Sequence, residues 1–222
     1  MWIEGPLIAE SDAALDRELD TGLDQGLDAR APALIGPNAI LQLAQVMEER
    51  LGWARTARLL REAGLVRLPS GQTMIPEDDA VQLHHALARY EGECAEDLVR
   101  ESGRRTADYI IANRIPKTAA WLLRRLPAPL AARLLMMAIK KHAWTFTGAG
   151  HFRAEGPWRF SINRAGSADW REPPASLFAW YEEVFERLFR ELSAQDCRCR
   201  DTCAGGPPTR VHHYRIDRTL PV

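Results

Sequence analysis

The apolar positions in the first two thirds of the chain repeat with the period of an α-helix. Ile40, Leu43, Met47 and Leu51 recur at spacings of three and four residues, and Pro37 stands where the first turn of a helix tolerates proline. Turn residues and prolines then separate further segments with a helical pattern. These segments predict helices over residues 77–91, 93–112, 117–126 and 128–142.

The pattern changes after His142. The segment AWTFTGAGHFRAEGPWRFSINRA is rich in aromatic and β-branched residues and is broken by glycines, which predicts a strand, a turn and a second strand. Leu177, Val184 and Leu188 then mark a long amphipathic helix, and the segments CRCRDTC and RVHHYRI predict two more strands. Helices followed by an antiparallel sheet with one inserted helix predict an α+β fold, with the helical N-terminal half packed on the sheet and on the long C-terminal helix.

The glycines of TGAG, Gly148 and Gly150, raise the question of nucleotide binding. A dinucleotide-binding loop needs a third glycine and a helix directly after it, because the helix N-terminus meets the pyrophosphate. Arg153 occupies the position of the third glycine, and a strand pattern follows it. The sequence contains no Gly-x-x-x-x-Gly-Lys phosphate loop either. We therefore interpret the segment as a tight turn between two strands and find no motif for NAD(P)H.

Charge is distributed unevenly along the 222 residues, although the net charge is only −1. Residues 1–30 carry eight acidic and two basic side chains, which predicts a weakly ordered acidic arm over residues 1–33, followed by a single domain over residues 34–222. Between Gly103 and Arg153 there are ten basic residues and one acidic residue, Asp108. Such a block attracts carboxylates, phosphates or an anionic membrane surface, unless it only forms solvated helix faces.

The composition also limits the location and the partners of the protein. No apolar run reaches the roughly 18 residues of a membrane-spanning helix, and the N-terminus lacks the pattern of a secretory signal. Three of the four cysteines are crowded at positions 197–203, unlike the framework of a secreted scaffold. We expect a cytoplasmic protein with reduced thiols and at most peripheral contact with a membrane. The lack of a DNA-binding motif predicts no nucleic-acid partner.

The stretch TADYIIANRIPKTAAWLLRRLPAPLAARLLMMAIKKHAWTFTGAGHF, residues 106–152, resembles the photosynthesis branch of the vinyl-4-reductase domain family, the bacteriochlorophyll 4-vinyl reductases. The resemblance covers residues 37–217, and Ala-Asn-Arg-Ile-Pro and His-Ala-Trp-Thr-Phe are its most specific parts. It implies an α+β ligand-binding domain, similar in fold to TRAPP vesicle-tethering subunits and usually a homodimer, with an apolar pocket between helices and sheet. Related domains are sensors of small molecules in phenol-responsive regulators. The membrane contacted would be the photosynthetic one.

A Mg-porphyrin or chlorophyllide-type pigment, the ligand that the resemblance implies, needs apolar walls, cations for its propionate and a donor for its metal. The candidate wall residues are Tyr109, Ile110, Trp121, Leu134, Met137, Trp144 and Phe146. The candidate cations are Arg104, Arg105, Arg114, Lys140 and Lys141. Arg114 lies inside the Ala-Asn-Arg-Ile-Pro stretch. Each of these residues also has an ordinary explanation in core packing or helix capping.

Histidines are the candidate axial ligands of the metal in such a macrocycle. His142 and His151 bracket the predicted first strand and its turn, so both can approach one cavity. His84 and His85 are adjacent on a predicted helix and cannot both face one pocket. We therefore assign His84 and His85 structural or surface roles.

The C-terminal cysteines form a separate constellation. Cys197 and Cys199 share one face of a predicted strand, and Cys203 and His212 follow at a spacing that a turn can bring back across it. Cysteine and histidine suit a structural, tetrahedral zinc ion, and the sensor relatives hold zinc near this region with cysteines and a glutamate. Free thiols and a redox or iron–sulfur role are the alternatives.

Three functions are consistent with the sequence. The first is a tetrapyrrole-binding accessory or carrier protein that passes pigment between enzymes of bacteriochlorophyll synthesis, such as Mg-chelatase or a methyltransferase. The second is a divinyl (proto)chlorophyllide vinyl reductase that uses an external reductant, and the third is a small-molecule sensing module. Because a vinyl reductase takes its electrons from a nicotinamide, a flavin or an iron–sulfur centre, the absence of such a motif favours the carrier.

Overall fold

The computed structural model describes residues 33–164, 174–204 and 209–219. Within these ranges the chain forms a two-stranded and a four-stranded antiparallel sheet together with the helices. The elements are β1 (Leu34–Ile35), α1 (Asn38–Leu51), α2 (Trp53–Glu62), β2 (Ile75–Pro76), α3 (Glu77–Glu91), α4 (Cys94–Asn113), α5 (Lys117–Arg125), α6 (Ala128–Lys141), α7 (Trp144–Thr147), β3 (His151–Gly156), β4 (Arg159–Asn163), α8 (Ala175–Leu192), β5 (Cys197–Asp201) and β6 (Val211–Arg218).

The α+β class is confirmed, and the helices α1, α3, α4, α5, α6 and α8 lie where the sequence places them. Proline sets several of their starts, because Pro37, Pro76, Pro116, Pro127 and Pro174 each precede the first helical residue. Helix α2 was not predicted. The acidic arm is predicted over residues 1–33, and all of it except residue 33 lies outside the described part of the chain.

Helix α8 forms the centre of the domain. The four-stranded sheet has the order β3-β4-β6-β5, and α8 packs on β5 and β6 on one side and on α4 on the other. Alternate residues of β5 and β6 are therefore buried, as expected for a sheet with one face against a helix. Nine residues of α8 are buried, including Tyr181, Phe185 and Phe189.

The segment before Gly148 differs from the prediction. Residues 144–147 form the single helical turn α7 instead of a strand, so the glycines connect a helix to strand β3. The hydroxyls of Thr145 and Thr147 donate to the carbonyls of His142 and Ala143, so both hydroxyls are satisfied locally within the helical turn. The turn between the two strands lies instead between β3 and β4.

A buried ion pair explains why the TGAG turn needs its glycines. The side chains of Glu77, at the start of α3, and Arg164, directly after β4, are each 2% exposed, and Arg164 Nη2 lies 3.2 Å from Glu77 Oε2. The same carboxylate oxygen accepts a hydrogen bond from the backbone N–H of Ala149, and Arg164 Nη1 donates to the carbonyl of Thr147. At Gly148, where φ is 55°, a Cβ atom would lie 1.7 Å from Glu77 Oε2. The turn therefore binds a carboxylate of the protein itself.

His84 is the second buried polar group of α3. Its side chain is 1% exposed, and its Nδ1 lies 3.1 Å from the hydroxyl oxygen of Ser176. Burial, with a smaller contribution from the positive charges of His85 and Arg164, lowers the pKa of His84 to about 3. The imidazole is therefore neutral in the folded protein at pH values where it is charged in the unfolded chain.

Replacing Gly148 with alanine should lower the free energy of unfolding by at least about 3 kcal/mol, because a strained φ adds to the disruption of a buried charge pair. Gly64→Ala is the matched control, since Gly64 has φ 78° but open space around it; it should cost only about 1 kcal/mol. Urea denaturation measures both. Equal losses in the two variants would contradict the proposed role of the Glu77 carboxylate.

The His84 pKa predicts a loss of stability in mild acid. Because the unfolded chain takes up a proton below about pH 6.5 and the folded protein does not, stability falls as pH falls from 6.5 towards 3, by about 2 kcal/mol at pH 5. His84→Gln should show a smaller fall between pH 7 and 5 than the parent in urea titrations. A slope in His84→Gln equal to that of the parent would refute the assignment.

Candidate functional site

The predicted wall residue Phe146 lies in an aromatic cluster between α7, α8 and the sheet. Its ring centroid is 5.7 Å from that of Phe152 and 5.8 Å from that of Phe185, with both contacts edge to face. Phe160 continues the cluster, 4.2 Å from Phe185. The hydroxyl of Tyr181 donates to the carbonyl of Phe146 and so fixes α7 on α8. Phe146 thus connects the TGAG turn to the core.

Four other wall candidates, Trp121, Leu134, Met137 and Trp144, lie on the exposed sides of α5, α6 and α7. Trp121, Met137 and Trp144 are 56%, 61% and 62% exposed. Both α5 and α6 pack on α8, so their opposite sides face solvent. We call this surface the outer face; its exposed apolar side chains are Trp121, Leu122, Leu130, Leu134, Met137 and Trp144.

Helix α6 is apolar on two sides, which explains how the outer face arises. Ala131, Leu135 and Ile139 belong to its buried side. Leu130, Leu134 and Met137, at spacings of four and three residues, form a second stripe that is exposed. The sequence contains this signal, since a surface helix ordinarily has a single apolar stripe. Sequence reasoning missed Leu122 and Leu130 because it treated the segment as core.

The outer face is also strongly basic. Residues 109–154 contain no aspartate or glutamate. Its exposed basic side chains on α5 and α6 are Lys117, Arg125, Arg133, Lys140 and Lys141, and Arg114 lies at the adjoining end of α4. Arg124 instead donates from Nε to the carbonyl of Glu191 on α8. The guanidinium of Arg125 lies 4.7 Å from the ring centroid of Trp121, and that of Arg114 lies 6.0 Å from the ring centroid of Tyr109. Cations and aromatic rings are therefore interleaved on this surface.

Two of the predicted cations are engaged elsewhere. Arg104 pairs with Glu183 of α8, and Arg105 makes ion pairs with Glu49 and Glu101. The hydrogen bonds that Arg105 donates to these two carboxylates, with Glu49 the larger effect, raise the pKa of Arg105. These arginines join α4 to α8 and α1, a role that their position in the sequence did not reveal.

The remaining ligand candidates occupy the ends of elements. Tyr109 and Ile110 are half-buried near the C-terminus of α4, and Lys141 ends α6. His142 is exposed, with its Nδ1 2.8 Å from the carbonyl oxygen of Ala138, and His151 is exposed at the start of β3. An axial-ligand role for either histidine stays a prediction.

The described residues do not assemble the C-terminal candidates into a metal-binding group, and a zinc role for them stays a prediction. Cys197 and Cys199 do share the buried face of β5, but the ring nitrogens of His212 face Asp201 Oδ2 and the carbonyl of Thr209. Both ring nitrogens of His212 therefore already have partners within the protein. No group of three or more metal-binding side chains is assembled among the residues that the structure describes.

Burial also controls the chemistry of these thiols. Desolvation, assisted by nearby carboxylates, raises the pKa of Cys197 to about 11 and that of Cys199 well above its usual range. A thiol in this state is a weak nucleophile. The described part of β5 therefore presents packing cysteines rather than reactive ones.

Alkylation with iodoacetamide at pH 8 should modify the exposed Cys94 first, and Cys197 should react at least about 100-fold more slowly, because its pKa is raised from 9.0 to about 11. Peptide mass spectrometry gives each rate, and urea should remove the difference. Fast alkylation of Cys197 in the folded protein would contradict its burial, and protection that appears only with added zinc would support the zinc-site prediction.

The chain is similar to two curated proteins of purple bacteria. It is 43% identical over 193 residues to the bacteriochlorophyll synthase 23 kDa chain of Rhodobacter capsulatus, covering 83% of this chain and 89% of the relative. It is 44% identical over 178 residues to the protein of the same name from Cereibacter sphaeroides, covering 78% and 86%. No protein-family profile matches the chain, so the resemblance to the vinyl-4-reductase domain itself stays a prediction.

Solved structures of low sequence identity share the fold. An iron(II) unliganded H-NOX protein from K. algicida has a TM-score of 0.54 at 9% identity and covers 85% of this chain and 98% of its own. A doubly substituted Tt H-NOX protein has a TM-score of 0.51 at 12% identity, with coverages of 85% and 97%. At these identities the likeness concerns the fold alone. The close relatives decide the family: this chain belongs to the bacteriochlorophyll synthase 23 kDa chain family and takes part in bacteriochlorophyll biosynthesis.

Proposed function

We propose that the protein binds a magnesium tetrapyrrole intermediate of bacteriochlorophyll synthesis and passes it between enzymes of that route. The observation that carries the proposal is the outer face, where large apolar side chains stand exposed among cations and no acidic residue intervenes. Exposed apolar area of this kind is unfavourable in water and marks a site that another molecule covers.

The chemistry of the pigment matches the outer face on two counts. A planar macrocycle is mostly apolar and stacks on indole rings and thioethers, which Trp121, Trp144 and Met137 present. A guanidinium recognises its propionate carboxylate, and Arg114 at the end of α4 supplies one. The aromatic ring of Tyr109 lies beside this guanidinium and adds apolar surface. His142, next to Lys141, is the candidate donor to the metal.

The vinyl-reductase alternative needs a reductant that reaches the bound pigment. The TGAG turn does not supply a nicotinamide site, because strand β3 follows it and the Glu77 carboxylate occupies its inner side. We therefore propose a binding and carrier role, in which specificity comes from stacking and carboxylate pairing. An assay of the purified protein with divinyl protochlorophyllide and NADPH separates the two functions, since the carrier leaves the vinyl group unchanged.

Titration of the protein with Mg-protoporphyrin monomethyl ester and with divinyl protochlorophyllide should give a saturable Soret shift near one pigment per chain. Arg114→Gln should weaken binding of both pigments about tenfold, because each has one free propionate and one charge-assisted hydrogen bond is lost. Trp121→Gln should weaken binding of both pigments about as much, through lost stacking.

The matched controls lie on α2. Arg61→Gln removes an exposed arginine and Trp53→Gln removes a tryptophan that is 73% exposed, and neither should change the affinity by more than about twofold. If no tetrapyrrole binds at micromolar concentration, or if the α2 variants lower the affinity as much as those of the outer face, the proposal is wrong.

A further inference from the structure

The outer face carries more charge than a pigment can use. A chlorophyllide-type ligand presents a single propionate, whereas the outer face and the adjoining end of α4 carry six exposed basic side chains. None of Lys117, Arg133 or Lys140 forms an ion pair with a described residue, while the arginines of α4 and α8 are paired with carboxylates. The surplus of cations suits an extended anionic partner.

The exposed apolar side chains of the outer face, like its cations, are distributed over several helices. Leu122 on α5 and Leu130 on α6 are 49% and 46% exposed, and Trp144 follows the C-terminus of α6. Leucine and tryptophan mixed with lysine and arginine on one side of helices are typical of surfaces that lie in the interface of a bilayer. Across the described residues, no helix combines the length and apolar character needed to cross a bilayer, and docking by insertion of side chains requires none.

We infer that the outer face of α5, α6 and α7 docks the protein on an anionic lipid bilayer, with Leu122, Leu130 and the two tryptophans in the acyl boundary and the cations at the lipid headgroups. Two contributions to the binding free energy favour an anionic bilayer as the partner. Each lysine or arginine near an anionic bilayer gains from the surface potential, and each buried apolar side chain gains from leaving water. A phosphate-bearing soluble ligand would satisfy the cations and leave the leucines exposed.

Docking shares the two tryptophans with the proposed pigment contacts, but several of its other residues lie outside those contacts. The cations Lys117 and Arg133 and the apolar residues Leu122 and Leu130 are therefore the positions to change. Matched changes exist elsewhere on the surface: Arg61 and Arg67 are exposed basic residues, and Val66 and Leu68 are exposed apolar residues at 90% and 48%.

The test is co-sedimentation of the full chain, free of pigment, with sucrose-loaded vesicles. One set is phosphatidylcholine, and the other contains about one third phosphatidylglycerol. We expect binding to the anionic set, little binding to the neutral set, and release as salt shortens the range of the attraction. Lys117→Gln/Arg133→Gln and Leu122→Gln/Leu130→Gln should each lower the partition coefficient at least about tenfold.

The control pairs Arg61→Gln/Arg67→Gln and Val66→Gln/Leu68→Gln should bind the anionic vesicles within about twofold of the parent. Equal binding to neutral vesicles, no binding to either set, or equal losses in the control pairs would overturn the inference. So would sedimentation equilibrium showing that Leu122→Gln/Leu130→Gln converts a dimer to a monomer, since the outer face would then join two copies. The pigment titration is run on the same variants without lipid, so failure of one proposal is distinguishable from failure of the other.

Discussion

The carboxylate of Glu77 and the guanidinium of Arg164 are buried together at the junction of α3, α7, β3 and β4. Removing both ions from water costs several kcal/mol each, and the pair recovers this cost only because the surrounding backbone supplies further hydrogen bonds. The Ala149 N–H donates to the carboxylate and the Thr147 carbonyl accepts from the guanidinium, so the TGAG turn is part of the ion pair. Loss of either partner would leave a buried charge.

The consequence is that a sequence resembling the start of a phosphate loop is used to bind an anion that the protein itself provides. A glycine at position 148 permits a positive φ and leaves room for the Glu77 oxygen. Through Tyr181, which donates to the Phe146 carbonyl, the same turn is fixed on α8. The positions of α7 and of the adjacent C-terminus of α6, and with them the edge of the outer face, therefore depend on this junction.

Helix α6 contributes to both the core and the outer face, with one apolar side buried and the other exposed. Leu135 and Ile139 are buried, whereas Leu134 and Met137 are exposed next to basic residues. An apolar side chain left in water gives up about 1.5–3 kcal/mol of burial free energy, so a second apolar stripe adds nothing to folding and is suited to binding. Under the proposed carrier role and the inferred docking, this one basic, apolar surface would contact both the pigment and the bilayer.

The sequence by itself determined the α+β class, the bounds of α3 to α6 to within a residue or two, the basic block and the likeness to bacteriochlorophyll biosynthesis proteins. These features follow from local periodicity, from prolines at helix starts and from residue composition. Tertiary structure alone decided the rest. Arg104 and Arg105 became ion-pair partners because α4 packs beside α8 and α1, and His212 is held by Asp201 and Thr209 because β6 returns beside β5. Whether an apolar side chain such as Met137 is core or surface depends on which side of its helix meets α8, and that choice is made by packing between distant segments, which no local pattern encodes.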